Sequence, residues 1–236
     1  MTARRAPGSR DARGARSRDR VRGRRIGIFG GTFDPPHHGH LALAEWARVE
    51  LALDQVWFVP AGEPPHKRGA AQSPVRHRLA MTRLATRGNP EFRVSTLECR
   101  RPGPSYTVDT VRALARAHPG ARLHLLMGAD TYATFGSWRE PEAIARAAAL
   151  VVALRAGVRR GARTSASGRR VTWLANPVLE VSSSALRARA ARGFSLRYLV
   201  PDAVARYIAR HRLYRPARAR GAGGRPRPRA ARQPRA

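Results

Sequence analysis

The sequence of 236 residues has little cysteine, lysine or acidic residue and no long apolar run. A single cysteine, Cys99, excludes an internal disulfide, so a reducing, cytoplasmic compartment is expected. No apolar segment approaches membrane-spanning length, and none follows the first charges as in a secretory signal, so no membrane partner is expected. The chain has only 15 acidic residues against 46 basic ones, which gives a formal net charge of +31. Such a charge ordinarily indicates nucleic-acid binding.

The distribution of the charge weakens that interpretation. Residues 1–25 hold ten Arg and two Asp, and residues 215–236 hold eight Arg and no acidic residue. Both segments lack aromatic residues, which RNA recognition uses for stacking. We expect residues 1–24 and 215–236 to be disordered basic tails that make at most non-specific nucleic-acid contacts, around one folded domain over 25–214. An RNA-binding or assembly protein that uses these tails is the alternative from another class.

Lysine occurs once, at Lys67, against 45 arginines. This composition is typical of a G+C-rich coding bias, which replaces Lys by Arg wherever a site permits. A site that needs a compact, flexible ammonium group does not readily accept a planar guanidinium. The retention of Lys67 therefore indicates a functional position.

Apolar strand-like segments alternate with helical segments along residues 25–214. The predicted strands are 26–29, 55–59, 92–97, 123–127, 149–154 and 171–174, with Cys99 in a strand-like stretch over 94–99 as a packing residue. The predicted helices are 41–53, 75–86, 106–118, 141–147, 185–192 and 202–211, and residues 155–170 are predicted to be a loop. This alternation predicts an α/β fold with a doubly wound parallel sheet, whose ligands bind beyond the carboxyl ends of the strands.

Three of the eight histidines fall in the segment GGTFDPPHHGH, residues 30–40, between the first predicted strand and a helix. A helix that starts near Pro36 places His37 and His40 on one face of its first turn, beside unpaired N–H groups and the positive end of the helix dipole. Gly39 would let a ligand approach the backbone closely. The segment therefore predicts a phosphate site. A metal site or core histidines are the weaker alternatives, because no further Cys or His follows at ligand spacing.

A second candidate phosphate site is the segment VSSSALR, residues 181–187, which precedes a predicted helix. One serine here is explained by helix capping. Three hydroxyls followed by Arg187 exceed that need and favour a second phosphate cradle.

These two segments resemble the signatures of the nucleotidyltransferase superfamily that carries a His/Thr-x-Gly-His motif. Further segments resemble bacterial nicotinate-nucleotide adenylyltransferases, over about residues 25–214. They are PPHK at 64–67, GPSYTVDT at 103–110, GAD at 128–130, WR at 138–139 and YLVP at 198–201. Pantetheine-phosphate adenylyltransferases share the phosphate signatures but lack the Ser-Tyr-Thr segment, and cytidylyltransferases differ in the second signature.

The resemblance implies a Rossmann-like nucleotidyltransferase that transfers AMP from ATP to nicotinate mononucleotide, with Mg²⁺ bridging phosphate oxygens and no protein metal cage. The products would be deamido-NAD and pyrophosphate. The implied ATP-binding residues are Gly30, Gly31, Thr32, Phe33, His37, Gly39, His40, Ser183, Ser184 and Arg187. The implied catalytic residues are His37, His40, Lys67 and Arg187. The implied residues that bind nicotinate mononucleotide are Tyr106, Thr107, Asp130, Trp138 and Arg155.

Overall fold

The computed structural model describes residues 23–64, 72–154, 161 and 168–215. In this part of the chain, six strands form one parallel sheet in the order β3-β2-β1-β4-β5-β6. The strands are β1 Arg25–Gly31, β2 Gln55–Pro60, β3 Phe92–Val94, β4 Arg122–Gly128, β5 Ala149–Ala153 and β6 Val171–Trp173. The predicted doubly wound parallel sheet is thus confirmed.

The strand order reverses at β1, which pairs with β2 on one side and with β4 on the other. Ile26 is in register with Gln55 across the first pair and with Leu123 across the second. The chain fills one half of the sheet before crossing back to build the other half. The crevice beyond the ends of β1 and β4 is therefore the topological switch point, where ligands bind in folds of this kind.

Helices cover the sheet and leave this crevice accessible. They are α1 His38–Glu50, α2 Val75–Thr86, α3 Leu97–Arg100, α4 Thr107–Ala117, α5 Ala129–Tyr132, α6 Pro141–Ala147, α7 Ser183–Ala191 and α8 Asp202–Arg210. A 3₁₀ turn spans Phe135–Ser137. Among the described residues, no helix combines the length and the apolar character needed to cross a bilayer.

The apolar core lies on both faces of the sheet. On one face, Ile26 and Ile28 pack in a cluster with residues of α4 and α6. On the other face, Phe29 and Phe58 pack with the buried alanines of α1. Successive strand residues point to opposite faces, so both faces of a central strand must be apolar. A third cluster joins α2, α7 and α8, and it includes Met81.

One predicted strand is wrong at its end. Strand β3 stops at Val94, and Cys99 lies in the short helix α3. The Ser95 N–H still donates to the Phe58 carbonyl at 2.9 Å, but its hydroxyl then accepts from the Leu97 N–H at 3.2 Å. A serine that bonds the backbone two residues ahead turns the chain, and this ends the strand.

The environment of Cys99 fits a packing residue. Its Sγ lies 3.3 Å from the Pro60 carbonyl, to which it donates. Burial raises the pKa of the Cys99 thiol, which disfavours the reactive thiolate.

Several predictions fall outside the described residues. They concern Lys67, Arg155, and the basic tails over residues 1–22 and 216–236. The disorder of the tails and the domain limits stay predictions.

Candidate active site

The loop after β1 places two histidines at the beginning of α1. The helix begins at His38, so His37 is the N-cap residue, with extended backbone angles, and His40 is the third helical residue. The prediction of a helix start near Pro36, with both imidazoles in the first turn, is therefore wrong by two residues. The N-cap still lies at the positive end of the helix dipole, which favours an anion. Two first-turn N–H groups are already engaged, because that of His38 donates to the Leu199 carbonyl at 3.1 Å and that of His40 donates to the His37 carbonyl at 2.9 Å.

The two imidazoles form a close pair. The ring centroids of His37 and His40 are 3.7 Å apart, with an angle of 32° between the planes. The backbone N–H of His37 donates to Nδ1 of His40 at 3.2 Å. A neutral imidazole whose Nδ1 accepts a hydrogen bond carries its proton on Nε2. His40 therefore keeps an Nε2–H donor.

Close side-chain contacts favour glycine at the end of β1 and in the first turn of α1. A Cβ on Gly31 would lie 3.0 Å from the ring of Phe33, and a Cβ on Gly39 would lie 3.0 Å from Nδ1 of His37. Gly39 thus makes room for an imidazole, a reason that the sequence does not reveal. Phe33 itself has a positive φ of 49° and is only 2% exposed, so its side chain belongs to the core.

The serine segment lies against the histidine loop. The hydroxyl of Ser183 donates to the Pro35 carbonyl at 2.9 Å, and Nη1 of Arg187 donates to the Asp34 carbonyl at 2.9 Å. Ser182 caps α7, since its Oγ accepts from the Ala185 N–H at 3.2 Å. The two predicted phosphate cradles, distant in sequence, are therefore parts of one site.

The two cradles open onto a cavity of about 470 Å³ at the switch point. The sequence-predicted site residues that line it are Gly30, Gly31, Thr32, Phe33, His37, Gly39, His40, Tyr106, Thr107, Asp130, Trp138, Ser183, Ser184 and Arg187. The structure brings together every predicted site residue that it describes. Their roles as ligands stay predictions.

The opposite end of the cavity has an aromatic wall next to a helix N-terminus. Tyr106 is the N-cap of α4 and Thr107 is its first residue. Trp138 follows the 3₁₀ turn, and the centroid of its ring lies 5.4 Å from that of Phe135. The guanidinium of Arg139 lies 4.8 Å from the centroid of the Tyr106 ring. Flat apolar surface beside N–H donors suits a planar ring that carries an anionic group.

Sequence reasoning missed a buried carboxyl in this cavity. Glu98 is 6% exposed, and its Oε1 accepts from the Thr110 hydroxyl at 2.6 Å. Burial raises the pKa of the Glu98 carboxyl, and the Thr110 hydrogen bond opposes this increase. Glu98 lies in the segment predicted to continue a strand, so no pattern marked it as a cavity residue.

Asp34 is a second residue that the sequence left without a role. It is 1% exposed, and its carboxylate accepts from the Ser73 N–H at 3.0 Å and from the Tyr214 hydroxyl at 2.7 Å. Burial and the neighbouring carboxylate raise the pKa of Tyr214, so its hydroxyl stays a donor. Asp34 thereby fixes the histidine loop to two distant segments of the chain.

The fold and the two adjoining phosphate cradles place the chain in the class of nucleotidyltransferases. The cytidylyltransferase-like family model matches residues 28–189. A probable nicotinate-nucleotide adenylyltransferase of Thermomicrobium roseum is 49% identical over 196 residues, covering 81% of this chain and 92% of the relative. The corresponding protein of Salinibacter ruber is 44% identical over 191 residues, covering 81% of this chain and 98% of the relative. The chain belongs to the nicotinate-nucleotide adenylyltransferase family.

Solved structures agree at the level of the fold. The nicotinic acid mononucleotide adenylyltransferase of Plasmodium falciparum, complexed with NaAD, superposes with a TM-score of 0.70 at 19% identity. The match covers 81% of this chain and 97% of that chain. The same Plasmodium protein complexed with APC gives a TM-score of 0.69 at 18% identity, with the same coverage.

Proposed function

We propose that this chain transfers AMP from ATP to nicotinate mononucleotide and releases deamido-NAD and pyrophosphate. The observation that carries the proposal is the direct contact between the serine and histidine cradles. Ser183 and Arg187 bond to the loop that ends in His37 and His40, next to the aromatic wall of the cavity. The names of the relatives and the NaAD complex of a structural neighbour support the same substrates.

The reaction needs positioning and charge neutralisation more than covalent chemistry. A phosphate oxygen of the mononucleotide attacks the α-phosphorus of ATP in line, forming a new P–O bond. The bond between the α-phosphorus and the bridging oxygen breaks, and pyrophosphate leaves with the electron pair. Nε2–H of His40 would donate to an α-phosphate oxygen, where negative charge increases in the transition state.

Arg187 and Ser184 would hold the β- and γ-phosphates. Ser183 would join them only by giving up its hydrogen bond to the Pro35 carbonyl, since a hydroxyl has a single O–H donor. The Arg187 guanidinium donates to the Asp34 carbonyl and to Oγ of Ser184. A guanidinium has five N–H donors, so this geometry leaves further donors for phosphate oxygens. Lys67, expected to add a mobile positive charge there, lies outside the described residues.

Mg²⁺ fits this site as a companion of ATP. Within the described residues, no group of three or more His, Cys, Asp or Glu side chains is arranged to hold a metal ion. The Asp34 carboxylate is already engaged by Ser73 and Tyr214. The donor set therefore suits a magnesium ion held mainly by phosphate oxygens and water. When bound, the ion would neutralise phosphate charge.

The acceptor would be selected at the beginning of α4. The Thr107 hydroxyl and the free N–H groups of the first turn can donate to the carboxylate of nicotinate, and the helix dipole favours the anion. Trp138 would stack on the pyridine ring of either the acid or the amide. We place the reaction in the cytoplasm, as expected from the lone Cys99.

The test is pyrophosphate release with ATP and three acceptors: nicotinate mononucleotide, its nicotinamide counterpart and phosphopantetheine. We expect the acid to be preferred. Trp138→Ala should raise the KM for the acceptor without changing the ratio of kcat/KM between the acid and the amide. Thr107→Val should bring that ratio closer to one. Matched controls outside the cavity are Trp46→Ala in α1 and Thr172→Val in β6. Equal kcat/KM for acid and amide would refute acid selectivity, and turnover only with phosphopantetheine would overturn the proposed function.

A further inference from the structure

Arg78, near the beginning of α2, places a guanidinium inside the protein, where the reaction just described does not use it. It is 2% exposed. Its Nε donates to the Ser73 carbonyl at 3.0 Å, and Nη2 donates to the Gly62 carbonyl at 2.8 Å. Its Nη1 donates to the Thr32 carbonyl at 3.1 Å and also to the Ala61 carbonyl. All four acceptors are backbone oxygens from loops at the carboxyl edge of the sheet.

A buried cation is costly unless its donors are satisfied. Burial lowers the pKa of Arg78, and the nearby Asp34 carboxylate opposes this decrease. The guanidinium stays charged at neutral pH, because its ordinary pKa is far above 7. An apolar side chain would fill the same space without the desolvation cost, but it could not hold together the loop after β1 and the two ends of the connection between β2 and α2.

The carbonyls that Arg78 binds connect both halves of the active site, the ATP half directly and the acceptor half through one intervening segment. Thr32 lies in the loop that leads to the histidines, which is the ATP half. Gly62 lies in the loop after β2, and its N–H donates to the Ser105 hydroxyl at 3.0 Å. The Ser105 N–H in turn donates to the Glu63 carbonyl at 2.9 Å. Ser105 directly precedes the residues that form the acceptor half.

The packing around Gly62 leaves little room for movement. A Cβ on Gly62 would lie 2.3 Å from the backbone carbonyl oxygen of Glu98. Backbone therefore packs on backbone between the loop after β2 and the acceptor segment. A displacement of Gly62 is thus passed to Glu98 through packed backbone, and to Ser105 through its hydroxyl and through the backbone bond to Glu63.

We propose that Arg78 is a positioning residue that fixes the separation between the ATP half and the acceptor half of the active site. The inference rests on the proposed function, in which two bound substrates react with each other. In-line transfer needs the reacting atoms about 3–3.5 Å apart, and a misplacement of about 1 Å can cost roughly 100-fold in rate. Each half keeps its own ligand contacts without Arg78, so kcat should fall while both KM values change little.

The experiment compares Arg78→Met and Arg78→Lys with Arg83→Met and Arg83→Lys. Arg83 lies on the same helix and is exposed. The readouts are kcat, the KM for each substrate, urea unfolding, and hydrogen–deuterium exchange of peptides over 30–34, 61–64 and 104–107. We expect Arg78→Met to lower kcat by about 10- to 100-fold per folded enzyme, with both KM values nearly unchanged. Arg78→Lys should fall between this variant and the parent, because an ammonium cannot bond all four carbonyls.

Exchange should become faster in both the 30–34 and the 104–107 peptides of the Arg78 variants, and not in the Arg83 variants. An unchanged kcat per folded enzyme, or faster exchange in only one of the two peptides, would overturn the inference. If Arg78→Met does not fold, the same criteria apply to Arg78→Lys. Parent enzyme that is inactive with nicotinate mononucleotide would instead refute the proposed function. The kinetic comparison would then use whichever acceptor the panel identifies, and the exchange criterion is unaffected.

Discussion

Replacing His40 by asparagine should lower kcat by about 100- to 1,000-fold while leaving the free energy of unfolding close to that of the parent. Nδ1 of His40 accepts from the His37 N–H at 3.2 Å, so Nε2 carries the proton that would reach an α-phosphate oxygen. Asparagine places an amide oxygen near the position of Nδ1 and has no atom at the position of Nε2. It therefore preserves the contact at the helix N-terminus and removes the donor, and one preorganised donor contributes roughly 3–4 kcal/mol to transition-state stabilisation.

Two further substitutions at His40 separate catalysis from folding. Alanine removes the acceptor as well, so it should add a loss of about 1 kcal/mol in unfolding free energy. Glutamine places an amide N–H near the position of Nε2 and should recover part of the rate. The assay is steady-state pyrophosphate release, paired with urea unfolding of each variant. His118→Asn is the control, because His118 packs on Trp57 outside the cavity. Parent-like kcat in His40→Asn would refute the reasoning, as would a loss of stability as large as that of alanine.

Three other predictions concern charge. Lys67→Arg should weaken catalysis more than a like-charge exchange normally does, and unchanged kcat and KM would show that Lys67 is a compositional accident. Burial lowers the pKa of His124 below 6.5, so the unfolded chain binds a proton that the folded protein does not, and stability falls as pH decreases below about 6.5. His124→Gln should therefore lose less unfolding free energy than the parent between about pH 8 and pH 5 in urea titrations, and equal losses would contradict this assignment. Deleting residues 1–22 and 217–236 should preserve ATP-dependent activity and abolish most salt-sensitive retention on nucleic acid, whereas a folded but inactive core would show that the tails complete the site.

Much of the fold could be predicted because the signals are local. The sequence predicts helices over 75–86 and 141–147, and the structure has both with the same bounds. A proline begins the second of these helices, and one directly precedes the first, which marks both starts in the sequence. The end of β3 could not be predicted, because it depends on whether the Ser95 hydroxyl bonds its own backbone. Leu97 and Cys99 resume an apolar alternation just beyond that point, so the sequence pattern predicts a longer strand.

The same contrast between local signals and long-range contacts holds for the active site. Each phosphate cradle is a short segment whose residue types indicate an anion, so both were visible in the sequence. Arg78 and Glu98 act through contacts with residues distant in the chain. Arg78 bonds carbonyls 16, 17 and 46 residues away, and Glu98 bonds a hydroxyl 12 residues away. No local pattern encodes such contacts, and sequence reasoning could not find either residue.

The arginine-rich composition explains why Arg78 in particular escaped notice. In a chain with 45 arginines, one more carries no information, whereas a single lysine does. Burial supplies the missing criterion, since Arg78 alone is fully buried among the arginines of the described ranges. The exchanges Lys67→Arg and Arg78→Lys therefore test one principle in opposite directions. If cation identity matters at both positions, Lys67 needs a compact charge that moves with the phosphates, and Arg78 needs a rigid fork that holds backbone in place.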